Sequence, residues 1–445
     1  MNLKTFERGV HPSYHKELTA ERPVEPAGLP GLAVVPLQQH IGAPCEPLVK
    51  RGDRVEEGQK IGDARAFVSA PVHASISGKV KDVALHPYPG GGRVLSVFIE
   101  GDGERKDWDA AGEEVDIDAV DAEKLRSIVR EAGIVGMGGA AFPSAVKLSP
   151  PGGRAMDHVI LNGCECEPFL TSDHRLMVEE PRKVLMGLKI IMKTVGAARA
   201  SIGIEDNKPD AIEALGKEAR GLVPGLEIVP LETKYPQGAE KMLIKAVLGR
   251  TVPLGKLPLD VGVVVNNVGT AVAIYEAVRY GKPLIERVVT VSGNGVKEPR
   301  NLLVRIGTSF DEVIGRCGGL AGEGEIEILN GGPMMGIAQT SLDVPVIKGT
   351  SGITLLRAGT IKPAEYGPCI RCASCVEACP MGLMPYRIGD LGRLYMVDAF
   401  EGWSGEGCIE CGCCSFVCPS KRPLVQWIRL GKLKLRESRR EAAAR

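Results

Sequence analysis

The chain has 445 residues with 55 Lys or Arg against 55 Asp or Glu, so it is longer than one hydrophobic core usually serves and carries no overall field for nucleic acid. Its 56 Gly, 31 Pro and only 4% aromatic residues suggest turn-rich β modules rather than helical bundles, and its 13 Cys suit metal ligation better than a disulfide framework. Residues 1–30 hold charges and prolines without an apolar run, and no later stretch offers about 18 consecutive apolar residues, so neither a secretory signal nor a membrane span is expected and the chain reads as soluble and cytoplasmic.

Residues 1 to about 100 are short apolar segments punctuated by Gly and Pro, such as Leu32–Val35 and Val94–Ile99, which predicts a small β module. Within it, Val49–Ile61 and Ala70–Val80 resemble the two halves of a biotinyl/lipoyl-type barrel sandwich. A carrier domain needs a lysine on the hairpin between its halves, and none stands between Lys60 and Lys79, so a structural module is expected. His40 and His73 read as structural histidines, because no ligand partner stands at metal spacing beside them. After a charged linker over 101–120, Leu125, Ile128 and Val129 mark a helix that Gly133 stops. Strands at 159–161, 200–204, 226–229 and 261–265 then alternate with helices near 184–195, 211–219, 239–248 and 271–278. Such alternation predicts an α/β domain with a largely parallel sheet. From 284 to about 330 short strands return, suggesting a β-grasp insert.

The cysteines near the C-terminal end carry the strongest signal. Cys369-x2-Cys372-x2-Cys375-x3-Cys379-Pro380 is repeated as Cys408-x2-Cys411-x2-Cys414-x3-Cys418-Pro419. Two-residue gaps wrap three thiolates round one [4Fe–4S] cube, and in two-cluster ferredoxins the fourth Cys of each run ligates the other cube. One cube is therefore assigned Cys369, Cys372, Cys375 and Cys418, the other Cys408, Cys411, Cys414 and Cys379. Paired C-x2-C elements also suit zinc, but eight Cys in two identical runs with no His in the stretch fit two cubes better. Cys45, Cys317 and Cys413 read as bystanders, and Cys164-x-Cys166 lacks the partner pair a metal needs. Residues 426–445 carry seven Lys or Arg against Glu437 and Glu441. They read as a solvated, partly helical end; the alternative is electrostatic docking to a negative cytoplasmic leaflet, aided by Trp427, Ile428, Leu430, Leu433 and Leu435.

Four further patches lie where α/β sheets bind ligands, at strand ends and helix starts. They are Gly136-Met137-Gly138-Gly139-Ala140-Ala141-Phe142 with Lys147, Asn162–Pro168, Gly238-Ala239-Glu240, and Asn266–Thr270. Glycines let backbone N–H groups approach a phosphate, and a lysine supplies the counter-charge. Together the patches resemble the flavin and NADH site of the flavoprotein subunit of respiratory complex I. The full order of modules resembles the C-subunit family of Rnf electron-transport complexes, over nearly the whole chain.

That resemblance implies that Gly136, Gly138, Lys147, Asn162, Glu165, Gly238, Asn266, Asn267 and Thr270 hold FMN. It implies that Phe142, Glu167 and Glu240 contact NAD(H), Phe142 by stacking. Met137, Ala141, Cys164 and Ala239 depart from the complex I pattern, which has Arg, Gly, an acidic residue and Glu there. The expected organisation is a barrel-sandwich module with linker over 1–115, an FMN/NAD-binding α/β domain over 116–282, an SLBB-like β-grasp and connecting segment over 283–362, a two-cluster ferredoxin-type domain over 363–425, and a basic tail. No catalytic acid or base is expected, since a flavin takes hydride and passes electrons singly to the clusters. The resemblance further implies a peripheral translocase subunit at the cytoplasmic face of the cell membrane. Its partners would be the Rnf membrane subunits and the ferredoxin-like B subunit, with ferredoxin engaged indirectly. The rival readings are a soluble cobalamin reductase of the propanediol-utilisation type and a cluster-only electron-transfer adaptor.

Overall fold

A computed structural model describes all residues except 1–2, 109, 111–115, 151, 153–155, 358–364 and 445. The expected boundaries near 115 and 362 therefore fall at or beside residues outside the described ones. Residues 32–101 build two facing antiparallel sheets. One has the order Leu32–Pro36, Arg93–Gly101, Gly78–Pro87, Arg54–Val55; the other runs Glu46–Pro47, Lys60–Asp63, Val72–His73. Val35, Val55, Ile61, Val72, Val80 and Val97 are fully buried between them. His40 is satisfied on one side only: its Nε2 lies 2.9 Å from the Ala43 carbonyl and 3.0 Å from Ser69 Oγ, while its buried Nδ1 has no partner. Burial pushes the His73 imidazole down to about 3, so it stays neutral.

The central sheet is wholly parallel, in the order Leu226–Leu231, Arg199–Glu205, His158–Asn162, Val263–Asn267. Both faces are covered, as parallel sheets require. Val159 and Leu161 point into one core with Leu188, Ile191 and Ile274, while Ile160 points into the other with Leu243, Ile244 and Val263. Strand order reverses between His158–Asn162 and Val263–Asn267, and a ligand crevice is expected outside the carboxyl ends at such a switch point. The last strand runs two residues further than its apolar pattern suggests, because Asn266 and Asn267 continue the ladder opposite Leu161 and Asn162.

A third, six-stranded sheet has the order Val24–Pro26, Arg300–Arg305, Glu286–Ser292, Gly352–Arg357, Ile326–Asn330, Ile337–Ala338. Its first strand comes from the N-terminal segment and lies parallel to Asn301–Leu303. That segment, within the stretch read as one β module, instead threads across the molecule: Lys4 bridges to Leu231, Val10 to Tyr235, and the Gly9 N–H donates to the Ala378 carbonyl at 3.2 Å.

The cysteine runs form two similar turns, each leading through one short helix, Ser374–Glu377 or Cys413–Phe416, to its fourth Cys. The expectation of a solvated tail is corrected here. Leu424–Ala444 is one helix, and Ile428 and Leu435 are buried against Leu383, Ile388, Leu391 and Phe400. Its cations face acidic partners: Arg429 and Lys432 meet Glu410 at 2.9 and 2.8 Å, and Arg439 meets Glu401 and Glu406, both at 2.7 Å. No helix among the described residues is long and apolar enough to cross a membrane.

Candidate functional site

The four glycine- and asparagine-bearing patches converge at the switch point. Asn162 and Asn267 are register partners at the ends of neighbouring strands. The Met137 N–H donates to Thr270 Oγ1 at 2.9 Å, and Asn162 Nδ2 donates to the Gly238 carbonyl at 2.7 Å. Lys147 donates to the Val265 carbonyl at 2.6 Å and pairs with Glu240. A Cβ at position 138 would lie 2.6 Å from Asn267 Nδ2, so any residue but glycine there would have to displace that side chain. Phe142 is half-buried beside the exposed Gly138-Gly139-Ala140 turn, and its carbonyl accepts the Gly136 N–H at 2.9 Å.

Two buried amides lack partners here. Asn266 Nδ2 is unpaired in a side chain only 3% exposed, and neither Gln237 Nε2 nor Oε1 finds a partner although the side chain is fully buried. Buried polar groups are nearly always hydrogen-bonded, so these orphans beside a glycine cradle fit a polar ligand such as FMN. Gln237 carries no signal of its own in the sequence beyond its position next to Gly238.

Some expected ligand residues are already engaged. The Glu165 carboxylate accepts from Ser172 Oγ at 3.0 Å and from the Asp173 and His174 N–H groups at 2.8 and 3.0 Å, at the start of helix Ser172–Glu179. Asn267 Oδ1 caps helix Val268–Tyr280 through Gly269 N at 2.8 Å and Thr270 N at 3.3 Å, while its Nδ2 donates to Asp173 at 2.6 Å. Burial, then the nearby Glu165 charge, pushes Asp173 up to about 7. Glu167 accepts from the Met334 and Met335 N–H groups at 3.1 and 2.8 Å, and burial pushes it up to about 7.

Two lysines, also unanticipated, lie under this loop. Lys16 donates to the carbonyls of Glu165, Glu167 and Leu170 at 2.7, 3.0 and 2.6 Å. Lys208 donates to the Cys164 carbonyl at 2.6 Å and to Glu205 at 3.1 Å, with both side chains of that pair fully buried. Cys164 and Cys166 are buried thiols that burial pushes up, and Cys166 Sγ accepts the Gly238 N–H at 3.3 Å.

The cysteines group across the two runs. Cys379, Cys408, Cys411 and Cys414 line one cavity, with Ile388 and Ile428 in its wall. Burial pushes the Cys375 thiol up, and its neighbours Cys418, Cys369 and Cys372 add to that. Each group of four thus draws its fourth thiol from the other run. Two such groups of four thiols suit two cubes, each of which spreads its ligands over four irons. The cavity group is the more enclosed: Cys411 and Cys414 are buried, whereas Cys372 is exposed. Tyr235, only 1% exposed, joins the two regions: its hydroxyl donates to the Cys411 carbonyl at 2.7 Å and also meets Glu167.

A switch-point crevice with a glycine cradle, joined to two groups of four thiols, defines a flavin and iron–sulfur electron-transfer protein that holds FMN and two [4Fe–4S] clusters. Four family models match in chain order. These are the RnfC barrel sandwich hybrid domain over 4–104, the Nuo51 FMN-binding domain over 129–276, the SLBB domain over 288–338 and the 4Fe-4S dicluster domain over 368–422. The chain is 48% identical over 429 residues to the C subunit of the proton-translocating ferredoxin:NAD(+) oxidoreductase complex of Clostridium ljungdahlii, covering 96% of this chain and 93% of that protein. It is 48% identical over 443 residues to the Na(+)-translocating counterpart of Acetobacterium woodii, covering 99% and 100%. The chain belongs to the C-subunit family of ion-translocating ferredoxin:NAD(+) oxidoreductase complexes. Among solved structures, an NAD+-reducing [NiFe]-hydrogenase in the H2-reduced state shares the fold at a TM-score of 0.51 and 19% identity, over 74% of this chain and 65% of that one.

Proposed function

We propose that this chain is the NAD-facing subunit of an Rnf-type complex, passing electrons between NAD(H), FMN and two [4Fe–4S] clusters while partner subunits move Na+ or H+. The observation that carries this reading is the direct join between the two sites, with Tyr235 packed between the flavin crevice and the cavity of Cys379, Cys408, Cys411 and Cys414. When bound, FMN exchanges two electrons with a nicotinamide and one at a time with the clusters. The chain's own part is positioning. The N–H groups of the Gly136–Gly138 turn and the Lys147 ammonium suit the FMN phosphate, and the Asn162 and Asn266 amides suit polar edges of the flavin. Thr270 and Asn267 hold that turn against the sheet, and Phe142, Glu167 and Glu240 are the nucleotide-side residues.

The domain division read from the sequence, the cytoplasmic face of the membrane, and the membrane and ferredoxin-like B subunits as neighbours belong to the same proposal. Anaerobic titration with NADH followed by EPR tests it: flavin bleaching and reduced-cluster signals should rise together. A protein that releases no FMN on denaturation, or whose clusters stay oxidised while flavin bleaches, would overturn it.

A further inference from the structure

The N-terminal segment inserts a single cation beneath the loop that follows strand His158–Asn162. Lys16 is 7% exposed, and its three hydrogen bonds run to carbonyls of Glu165, Glu167 and Leu170, all within that loop. An ammonium has three N–H donors and no acceptor, so this tripod uses every one. A neutral amine keeps two donors and turns a lone pair toward the third carbonyl. Two loop residues, Glu165 and Phe169, have φ of 47° and 69°, in the left-handed region that side chains other than Gly and Asn seldom adopt. Three sets of bonds hold them there: the Glu165 carboxylate is fixed at the start of helix Ser172–Glu179, the Phe169 N–H donates to the Tyr14 carbonyl at 2.8 Å, and Lys16 ties the Glu165 carbonyl to those of Glu167 and Leu170, which bracket Phe169. The charged or titratable groups facing Lys16 from the packed elements are Lys208, Glu165, Glu205, Cys166, Asp173 and Glu167, the last through both its backbone carbonyl and its carboxylate; Asp173 and Glu167, near 7, titrate at the start of the same range, so a variant at position 16 has to separate them from Lys16.

We propose that Lys16 is a positioning residue for the flavin site: its ammonium form holds the 162–170 loop in the shape that grips FMN, and loss of its third proton loosens that grip. This rests on reading the loop as part of the flavin site. Burial, then repulsion from Lys208, lowers Lys16 to about 8, which places the change within reach of experiment. If FMN prefers the ammonium form, affinity is full below that point and falls above it, by at most about tenfold per pH unit for one proton.

The test uses the full-length protein, purified anaerobically, with FMN dissociation constants measured by flavin fluorescence from pH 7 to 9.5 and iron content measured alongside. The wild type should weaken about tenfold between pH 7 and 9.5 at constant iron. Lys16→Met should bind FMN about tenfold more weakly at pH 7 and lack this fall, its curve meeting the wild type's at high pH. A structural role alone would lower affinity without removing the pH dependence. A wild-type affinity that stays level through pH 9.5, or a Lys16→Met curve with the same fall, overturns the proposal. If Lys16→Met fails to fold, shown by lost iron, Lys16→Arg takes its place: a cation at every pH used, it should bind FMN without the fall, and a fall equal to the wild type's would overturn the proposal. Wild type that binds no FMN at any pH would instead remove the flavin reading, and this inference with it.

Discussion

Replacing Lys208 by Met tests whether the flavin loop rests on a buried ion pair. Lys208 and Glu205 are both fully buried, 3.1 Å apart, and Lys208 also donates to the Cys164 carbonyl at 2.6 Å and to Asn207 Oδ1 at 2.8 Å. Methionine fills most of the space but leaves the Glu205 carboxylate without its nearest cation, and breaking a buried pair from one side costs about 3–5 kcal/mol. Lys16 still acts on Glu205 and offsets part of this, so the lower end of that range is expected. The loss has a pH signature. Burial already pushes Glu205 up, and without Lys208 it rises further, so the folded variant keeps a proton that the unfolded chain has shed. Stability then falls as pH rises through that window, and the deficit should be larger at pH 8 than at pH 5.5. Urea unfolding followed by flavin fluorescence reads this module rather than the whole chain. The double variant Glu205→Gln/Lys208→Met should lose less than the two single variants summed. A deficit below about 1 kcal/mol at pH 8, or one equal at both pH values, would refute the reasoning.

Lys147→Ala removes the ammonium that pairs with Glu240 and bonds the Val265 carbonyl, and should lower FMN occupancy with iron content unchanged. Equal loss of both would mean misfolding. Cys379→Ala should cost one cube and leave the other, taking iron from about eight to about four per chain with one EPR signal surviving; loss of the signal belonging to Cys369, Cys372 and Cys375 would break the crosswise assignment. Leu435→Ala opens space beside Phe400 and Ile388 and should destabilise the cluster module by about 2–5 kcal/mol, read as earlier bleaching of the cluster absorbance in urea. An unshifted transition would mean that the C-terminal helix is dispensable to the module.

The sequence revealed chemistry wherever it was written locally. Eight cysteines at fixed spacing, valines running into Asn266 and Asn267, and glycines ahead of Lys147 each carry their meaning within a few residues. Contacts set by remote pairing were not legible. Lys16 looks like any exposed lysine, because lysines are rarely buried and nothing beside it announces three carbonyls some 150 positions later. Val24–Pro26 is too short to show a strand pattern, and only its partner Asn301–Leu303 makes it one. The basic tail misled for a related reason: Arg439, Arg429 and Lys432 count as excess charge until Glu401, Glu406 and Glu410 are placed beside them. Glu165 and Asn267 were read for their chemistry, yet each also anchors a helix start, a task that depends on the backbone around it.

The threaded N-terminal segment has a consequence for biosynthesis. Residues 24–26 have no strand to pair with until Asn301–Leu303 exist, and Gly9 and Arg8 find the carbonyls of Ala378, Val376 and Cys379 only after the first cysteine run has been made. At about 5–20 residues per second, Arg8 and Gly9 wait roughly 20–75 seconds for these partners. Because Arg8 bonds the carbonyl of Cys379 itself, this early segment settles onto a turn whose shape depends on thiolates and iron. Lys4, Val10 and Lys16 are held by the α/β domain without the clusters, so a shortage of iron would release only the Arg8–Gly9 anchor and leave the rest of the segment seated.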